Sequence, residues 1–122
     1  MVDGAENNPP SFYLSKHYEV CKYYSLDEHT SVPDLLLMST HVWNSLSQQQ
    51  QTWLQEAVDE SVTHQRILWK ESTDNALAEV QKAGVQVVYP DKALFREAVM
   101  EMHQSYQGTP VYELINEIDG IQ

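Results

Sequence analysis

The residues of this chain that are best suited to bind a polar ligand stand near its start, in the run GAENNPP at residues 4–10. An Asn side chain offers both a hydrogen-bond donor and an acceptor, so Asn7 can bind a carboxylate, hydroxyl or keto oxygen. Asn8 is a good N-cap, and Pro9 suits the first position of a helix, where the N–H that proline lacks would have no partner. Glu6, Asn7 and Asn8 are therefore expected at a helix N-terminus, whose dipole favours anions. Taken alone, these residues are better explained as a simple helix cap.

Four of the five histidines show no spacing typical of metal ligands. No HExxH or CxxC motif is present, so the sequence predicts neither a metal nor a cofactor. These histidines are His17, His41, His64 and His103.

Two further groups resemble catalytic pairs but are better explained otherwise. Cys21 follows His17 by four residues on one predicted helix, yet catalytic Cys–His pairs normally come from distant segments, and no oxyanion-hole signature accompanies this one. Cys21 is expected to be a small buried apolar residue. The adjacent carboxylates of Asp59 and Glu60 are expected on a solvated helix face. The sequence therefore predicts that the chain is not an enzyme.

Composition limits the partners of the chain. Its 122 residues are 42% hydrophobic and 20% charged, which suits one globular domain with a modest core. The net charge of −11 argues against nucleic acid and anionic membranes as partners, because phosphate binding needs basic patches. A single cysteine permits no intrachain disulfide, and no apolar run is long enough for a transmembrane helix. The chain also opens without a signal-peptide pattern, so a periplasmic role would require an upstream segment.

The elements that position these residues begin with a helix predicted over residues 9–22, with Phe12, Tyr13, Val20 and Cys21 as its apolar positions. Residues 22–30 read as a turn or the entry to a strand. The apolar run at residues 35–38 suits a buried strand, although periodicity does not separate it from a helix. A short helical turn is expected at residues 41–46.

The strongest structural pattern follows at residues 48–83. Ser47 and Gln50 form a capping box, apolar residues recur at helical spacing, and Gly84 is a natural C-cap. Such a helix is roughly 54 Å long at 1.5 Å per residue. Because a compact chain of this size has a radius of gyration of about 14 Å, the helix must either kink near residues 72–74 or span a second body.

The rest of the chain reads as a strand over residues 85–89 and two helices. Asp91 caps a helix that runs to about Tyr106, with Leu94, Phe95, Ala98, Val99 and Met102 directed inward. Gly108 ends that helix, and Thr109 with Pro110 starts a final short one.

Three stretches together carry a resemblance to a known family. VDGAENNPPSFYLSKHYEV at residues 2–20, KYYSLDEHTSVPDLLLMS at 22–39 and VVYPDKALFREAV at 87–99 resemble the C-terminal part of the DctP family of TRAP-transporter solute-binding proteins. The resemblance extends from Val2 to about Ile118. It implies an α/β, helix-rich fold, a partial type II-like two-lobed periplasmic protein with a few short strands. Residues 1–122 would form a single partial domain, in which the long helix bridges both lobes of the full protein.

The resemblance also implies which residues meet a ligand. Asn7 stands at the Asn of the family's G-x-E-N motif, which reaches the ligand, and His29 stands at a position that faces the cleft. Glu6 and Asn8 are weaker candidates, and Asn8 departs from the Pro that family members often carry. A structural His29, hydrogen-bonded to its acidic neighbours, remains an alternative. The arginine that holds the carboxylate lies upstream in the family, so this chain is expected to carry an incomplete site.

Two hypotheses of different classes follow. The chain is part of a periplasmic protein that captures an organic acid and delivers it to TRAP membrane permease subunits by closure of two lobes. Alternatively, it is a helical interaction module that forms homo-oligomers, such as a domain-swapped dimer, through apolar surface left exposed.

Overall fold

The computed structural model describes residues 2–121, which divide into two compact units. Residues 2–24 and 30–88 form the first unit, and residues 25–29 and 89–121 form the second. The helices are α1 Pro9–Leu14, α2 Thr40–Ser45, α3 Gln48–Lys82, α4 Lys92–Ser105 and α5 Pro110–Asp119, with a 3₁₀ turn at His17–Glu19. Two short strands, β1 Tyr23–Ser25 and β2 Gln86–Val88, pair with each other.

The first predicted helix is shorter than its apolar pattern indicated. It ends at Leu14, because Lys16 adopts left-handed backbone angles (φ 57°), which a continuing helix does not accommodate. Val20 and Cys21 therefore lie outside the helix, and the expectation that Cys21 is buried is wrong. Val20 is 88% exposed, and Cys21 is exposed with its thiol donating to the Tyr23 carbonyl at 3.1 Å.

The core of the first unit is small and mixes α1 with the end of α3. Phe12, Val80 and Val85 are buried together, and three tyrosines pack against them: Tyr13, Tyr18 and Tyr24. Burial of these apolar side chains is what holds α1, and the loop before it, against α3.

The long helix α3 begins and ends as its sequence predicts. Ser47 and Gln50 form the expected capping box at its start. At its end Gly84 has φ +89°, its N–H donates to the Gln81 carbonyl, and the Val85 N–H donates to the Val80 carbonyl at 3.0 Å. These two bonds form a Schellman motif, in which Val80 and Val85 also make the accompanying apolar contact. The helix is continuous through residues 72–74.

Two predictions of burial are wrong. Residues 35–38 form no regular structure, and Leu35, Leu36 and Leu37 are more than 70% exposed. In α4 the side chains of Leu94, Phe95 and Met102, expected inward, are also more than half exposed. Ala98, expected inward with them, is exposed as well. In both places the apolar pattern is present in the sequence, but the described residues supply little that packs against it.

The second unit contains several polar contacts around α4 and α5. Asp91 caps α4 by accepting from the Ala93 N–H at 3.0 Å, and Thr109 caps α5. Arg96 in α4 donates to Asp119 at 2.6 Å. Lys92 pairs with Glu28, which ties the short segment 25–29 to the start of α4.

Among residues 2–121, no helix combines the length and the apolar character needed to cross a membrane.

Candidate ligand-binding site

Asn7 is the best-organised candidate residue. It is half-buried in the loop before α1, and its side-chain oxygen accepts from the Asn8 N–H at 3.0 Å. Its side-chain nitrogen lies 3.5 Å from Nδ1 of His17. Because an amide carries two N–H groups and two lone pairs, one donor and one acceptor remain after these contacts. Asn7 can therefore still offer a donor and an acceptor to a ligand.

The backbone of Asn7 is fixed as well. The Tyr24 hydroxyl donates to the Asn7 carbonyl at 2.6 Å, across 17 residues of sequence. The Tyr24 ring in turn stacks at a tilt on Phe12, with 4.7 Å between ring centroids, and Phe12 is only 4% exposed. The loop is thereby attached to the core of its unit.

Asn8 and Glu6 behave differently from Asn7. The Asn8 side chain accepts from the Ser11 N–H at 2.9 Å, so Asn8 is the N-cap of α1. Glu6 is exposed. The helix-cap interpretation is thus correct for Asn8. Asn7 precedes the cap by one residue.

His17 is a neighbour of Asn7 that the sequence reasoning missed. The sequence offered it only as a candidate metal ligand or as a partner of Cys21, whose thiol instead donates to the Tyr23 carbonyl at 3.1 Å. The contact between His17 and Asn7 spans ten residues and depends on the left-handed turn at Lys16, which reverses the chain after α1. No spacing rule for helices or strands would have found it.

His29 lies in the second unit, in the segment 25–29, whereas Asn7 lies in the first. Its Nδ1 is 2.8 Å from Asp27 Oδ1. The hydrogen bond from His29 is the main reason that the pKa of Asp27 lies below its usual value of 3.8. The alternative of a structural histidine beside acidic residues thus has a geometric basis, while the role of His29 in ligand binding stays a prediction.

Neither arginine offers a prepared carboxylate site. Arg96 is already paired with Asp119. Arg66 lies on the exposed middle of α3, on the same side of the helix as Lys70 and Asp74. Asp59 and Glu60 of α3 are exposed, as the sequence predicted. Within residues 2–121, no cluster of three or more His, Cys, Asp or Glu side chains is placed to hold a metal ion.

Comparison with known proteins gives a consistent result over almost the whole chain. Residues 1–109 match the family model of DctP, the bacterial extracellular solute-binding proteins of family 7. A solute-binding protein of Chromohalobacter salexigens is 34% identical over 125 residues, which cover 100% of this chain and 37% of that protein.

Solved structures agree with this match. A TRAP periplasmic solute-binding protein from Chromohalobacter salexigens with bound D-glucuronate is 35% identical, with a TM-score of 0.87 over 99% of this chain and 41% of that one. Another from Xanthobacter autotrophicus Py2, with bound β-D-galacturonate, is 38% identical, with a TM-score of 0.77 over 92% of this chain and 38% of that one. The chain thus spans about two fifths of the length of these relatives.

Proposed function

The chain belongs to the DctP family of bacterial extracellular solute-binding proteins, and from this premise we propose that it forms part of a periplasmic receptor that captures an acidic sugar for a TRAP transporter. The two similar structures described above hold glucuronate and galacturonate, which are both sugar acids. A uronate presents a carboxylate and several hydroxyl groups. Asn7, with one donor and one acceptor still available, suits a ligand of that kind.

The observation that carries this proposal is the way in which Asn7 is held. Its carbonyl and its side-chain oxygen each accept a hydrogen bond, and its amide nitrogen faces an imidazole nitrogen. A side chain fixed in this way before binding loses less conformational freedom when the ligand arrives. The Asn8 side chain accepts from a first-turn N–H of α1, so Asn7 is not needed as the cap.

We expect the rest of the site to come from the part of the family's length that this chain does not span. A carboxylate is best held by a bidentate guanidinium, and Arg96 is occupied by Asp119. The receptor would close two lobes around its ligand, with His29 on the cleft and α3 as a rigid brace that bridges the lobes. Delivery to the permease subunits in the membrane completes the proposed role, which involves no catalytic step.

A second candidate function concerns the chain by itself. The exposed leucines at residues 35–37 favour self-association, because contiguous apolar surface of this kind usually marks an interface. This homo-oligomer is compatible with family membership.

The test of the proposed function is a graft, in which this chain replaces the matching segment of the Chromohalobacter salexigens protein that binds D-glucuronate. Titration calorimetry with D-glucuronate and D-galacturonate should show binding. Asn7→Ala should weaken the affinity about 5- to 30-fold, the loss of one or two hydrogen bonds to a charged ligand. Asn7→Asp should weaken it more, because a carboxylate at this position repels the ligand.

The control is Asn75→Ala, on an exposed position of α3, which should leave the affinity unchanged. A graft that melts cooperatively but binds neither uronate, while the recipient protein does, contradicts the proposal. A second graft limited to residues 2–39 carries the same loop with fewer new contacts, and it decides the question if the longer graft does not fold.

A further inference from the structure

We propose that His17 is a positioning residue for Asn7, which fixes the Asn7 amide in the orientation that an acidic sugar requires. The inference rests on the proposed function, since it concerns the same site. Nδ1 of His17 lies 3.5 Å from the Asn7 side-chain nitrogen.

The contact at the oxygen end of the Asn7 amide decides which atom is the donor in the contact with His17. The Asn8 N–H is a donor and lies 3.0 Å from the Asn7 side-chain oxygen, so that end must be the oxygen. The nitrogen therefore faces His17, whose Nδ1 must accept. An imidazole that accepts at Nδ1 is neutral and carries its proton on Nε2. A flipped Asn7 amide would set two donors against each other at Asn8 N.

His17 is itself supported by the core. It opens the 3₁₀ turn that follows the left-handed Lys16, and its ring meets Phe12 edge-on with 6.4 Å between centroids. Phe12 also contacts the Tyr24 ring, whose hydroxyl holds the Asn7 carbonyl. The buried Phe12 thus supports both Tyr24, which holds the backbone of Asn7, and His17, which holds its side chain.

The consequence for binding concerns which atoms face the ligand. With the nitrogen held by His17 and the oxygen by Asn8, the second N–H and the second lone pair of Asn7 have fixed directions. Without the imidazole acceptor, only the Asn8 N–H still holds the amide, so its nitrogen end loses its partner and the side chain is less firmly fixed. The ligand must then pay the cost of reordering the side chain.

Two variants of the graft separate the acceptor from the ring. His17→Phe keeps an aromatic edge against Phe12 but has no acceptor, whereas His17→Asn places an oxygen where Nδ1 stands but loses the ring. We expect His17→Phe to weaken D-glucuronate binding about three- to tenfold, and His17→Asn to restore most of that loss. In an Asn7→Ala background, His17→Phe should cause no further loss, because His17 acts through Asn7.

The outcomes distinguish this inference from the proposed function. If Asn7→Ala weakens binding but His17→Phe does not, or if the two losses add in full, the role of His17 is wrong and the site stands. If Asn7→Ala has no effect, the proposed site itself is wrong.

The 122-residue chain gives an independent readout, since ¹⁵N NMR should show the His17 proton on Nε2. A neutral His17 with its proton on Nδ1 contradicts the inference whether or not the variants fold.

Discussion

Two adjacent residues of the same type, Asn7 and Asn8, make different contacts in this structure. Asn8 uses its side-chain oxygen to cap α1, and it is expected to matter mainly for stability. Asn7 is held at its backbone and at both ends of its amide, yet keeps hydrogen-bonding capacity. The position of each relative to the first helical N–H groups, and not the residue type, decides which of them caps the helix.

At the same scale, Asp27 should titrate differently when His29 is removed. The hydrogen bond from His29 stabilises the charged carboxylate, so the pKa of Asp27 lies below 3.8 in the folded chain. Since the folded pKa is the lower one, the contact contributes stability above about pH 4 and loses it as the pH falls through the folded pKa. We expect His29→Ala to return the pKa of Asp27 toward 3.8, as measured by ¹³C NMR of its carboxyl carbon.

His103→Ala is the matched control, because it removes a histidine of α4 in the same unit and should leave Asp27 unchanged. An Asp27 pKa that does not rise in His29→Ala would show that the hydrogen bond is not its cause.

The sequence locates Asn7 but not the residues around it. The GAENNPP run marks a loop before a helix from local rules of capping and of proline placement. His17 and Tyr24 reach Asn7 only after the chain has turned at Lys16 and paired at β1, so their contacts depend on the tertiary structure. Local rules predict where the loop before α1 ends and the helix begins, and they do not predict which side chains hold that loop in place.

At the scale of elements, helices were predicted better than buried strands for a physical reason. The hydrogen bonds of α3 run within the helix, so Ser47, Gly84 and the absence of an internal proline or glycine suffice to define it. A strand needs partners distant in sequence. The apolar run at residues 35–38 has the composition of a buried strand, but it pairs with nothing in the described chain and remains exposed.

Gly84, at the end of α3, allows a test of whether single residues in the sequence define the helix ends. Gly84 has φ +89°, and a Cβ added there would meet no atom within 4 Å. The cost of Gly84→Ala is therefore conformational and not steric, and we expect it to lower the free energy of unfolding of the graft by about 1 kcal/mol. Urea unfolding followed by circular dichroism measures the loss.

Gly4→Ala is the control for that measurement. A Cβ at Gly4 also meets nothing, but its backbone lies outside the left-handed region, so the change should alter stability by less than about 0.5 kcal/mol. Equal stability of the two variants would mean that the Schellman motif does not depend on glycine.

At the scale of the whole molecule, the chain has more apolar surface than its own core uses. The first unit buries Phe12, Ala76, Val80 and Val85, while leucines at residues 35–37 and much of the apolar face of α4 stay exposed. The chain also spans only about two fifths of the length of its relatives. Apolar side chains that are exposed in a segment of a larger fold are expected to be covered by the remainder of that fold.

We therefore predict that the isolated 122-residue chain self-associates, whereas the graft is a monomer. Sedimentation velocity should give an average mass that rises above 14.1 kDa as the concentration reaches the high micromolar range. The double variant Leu35→Ser/Leu37→Ser should reduce the association, because it removes apolar area from the exposed run. Val20→Ser, which changes a single exposed apolar residue elsewhere, should not. A chain that stays monomeric at these concentrations and melts in one sharp transition would show that its small core suffices, and that the exposed leucines do not form an interface.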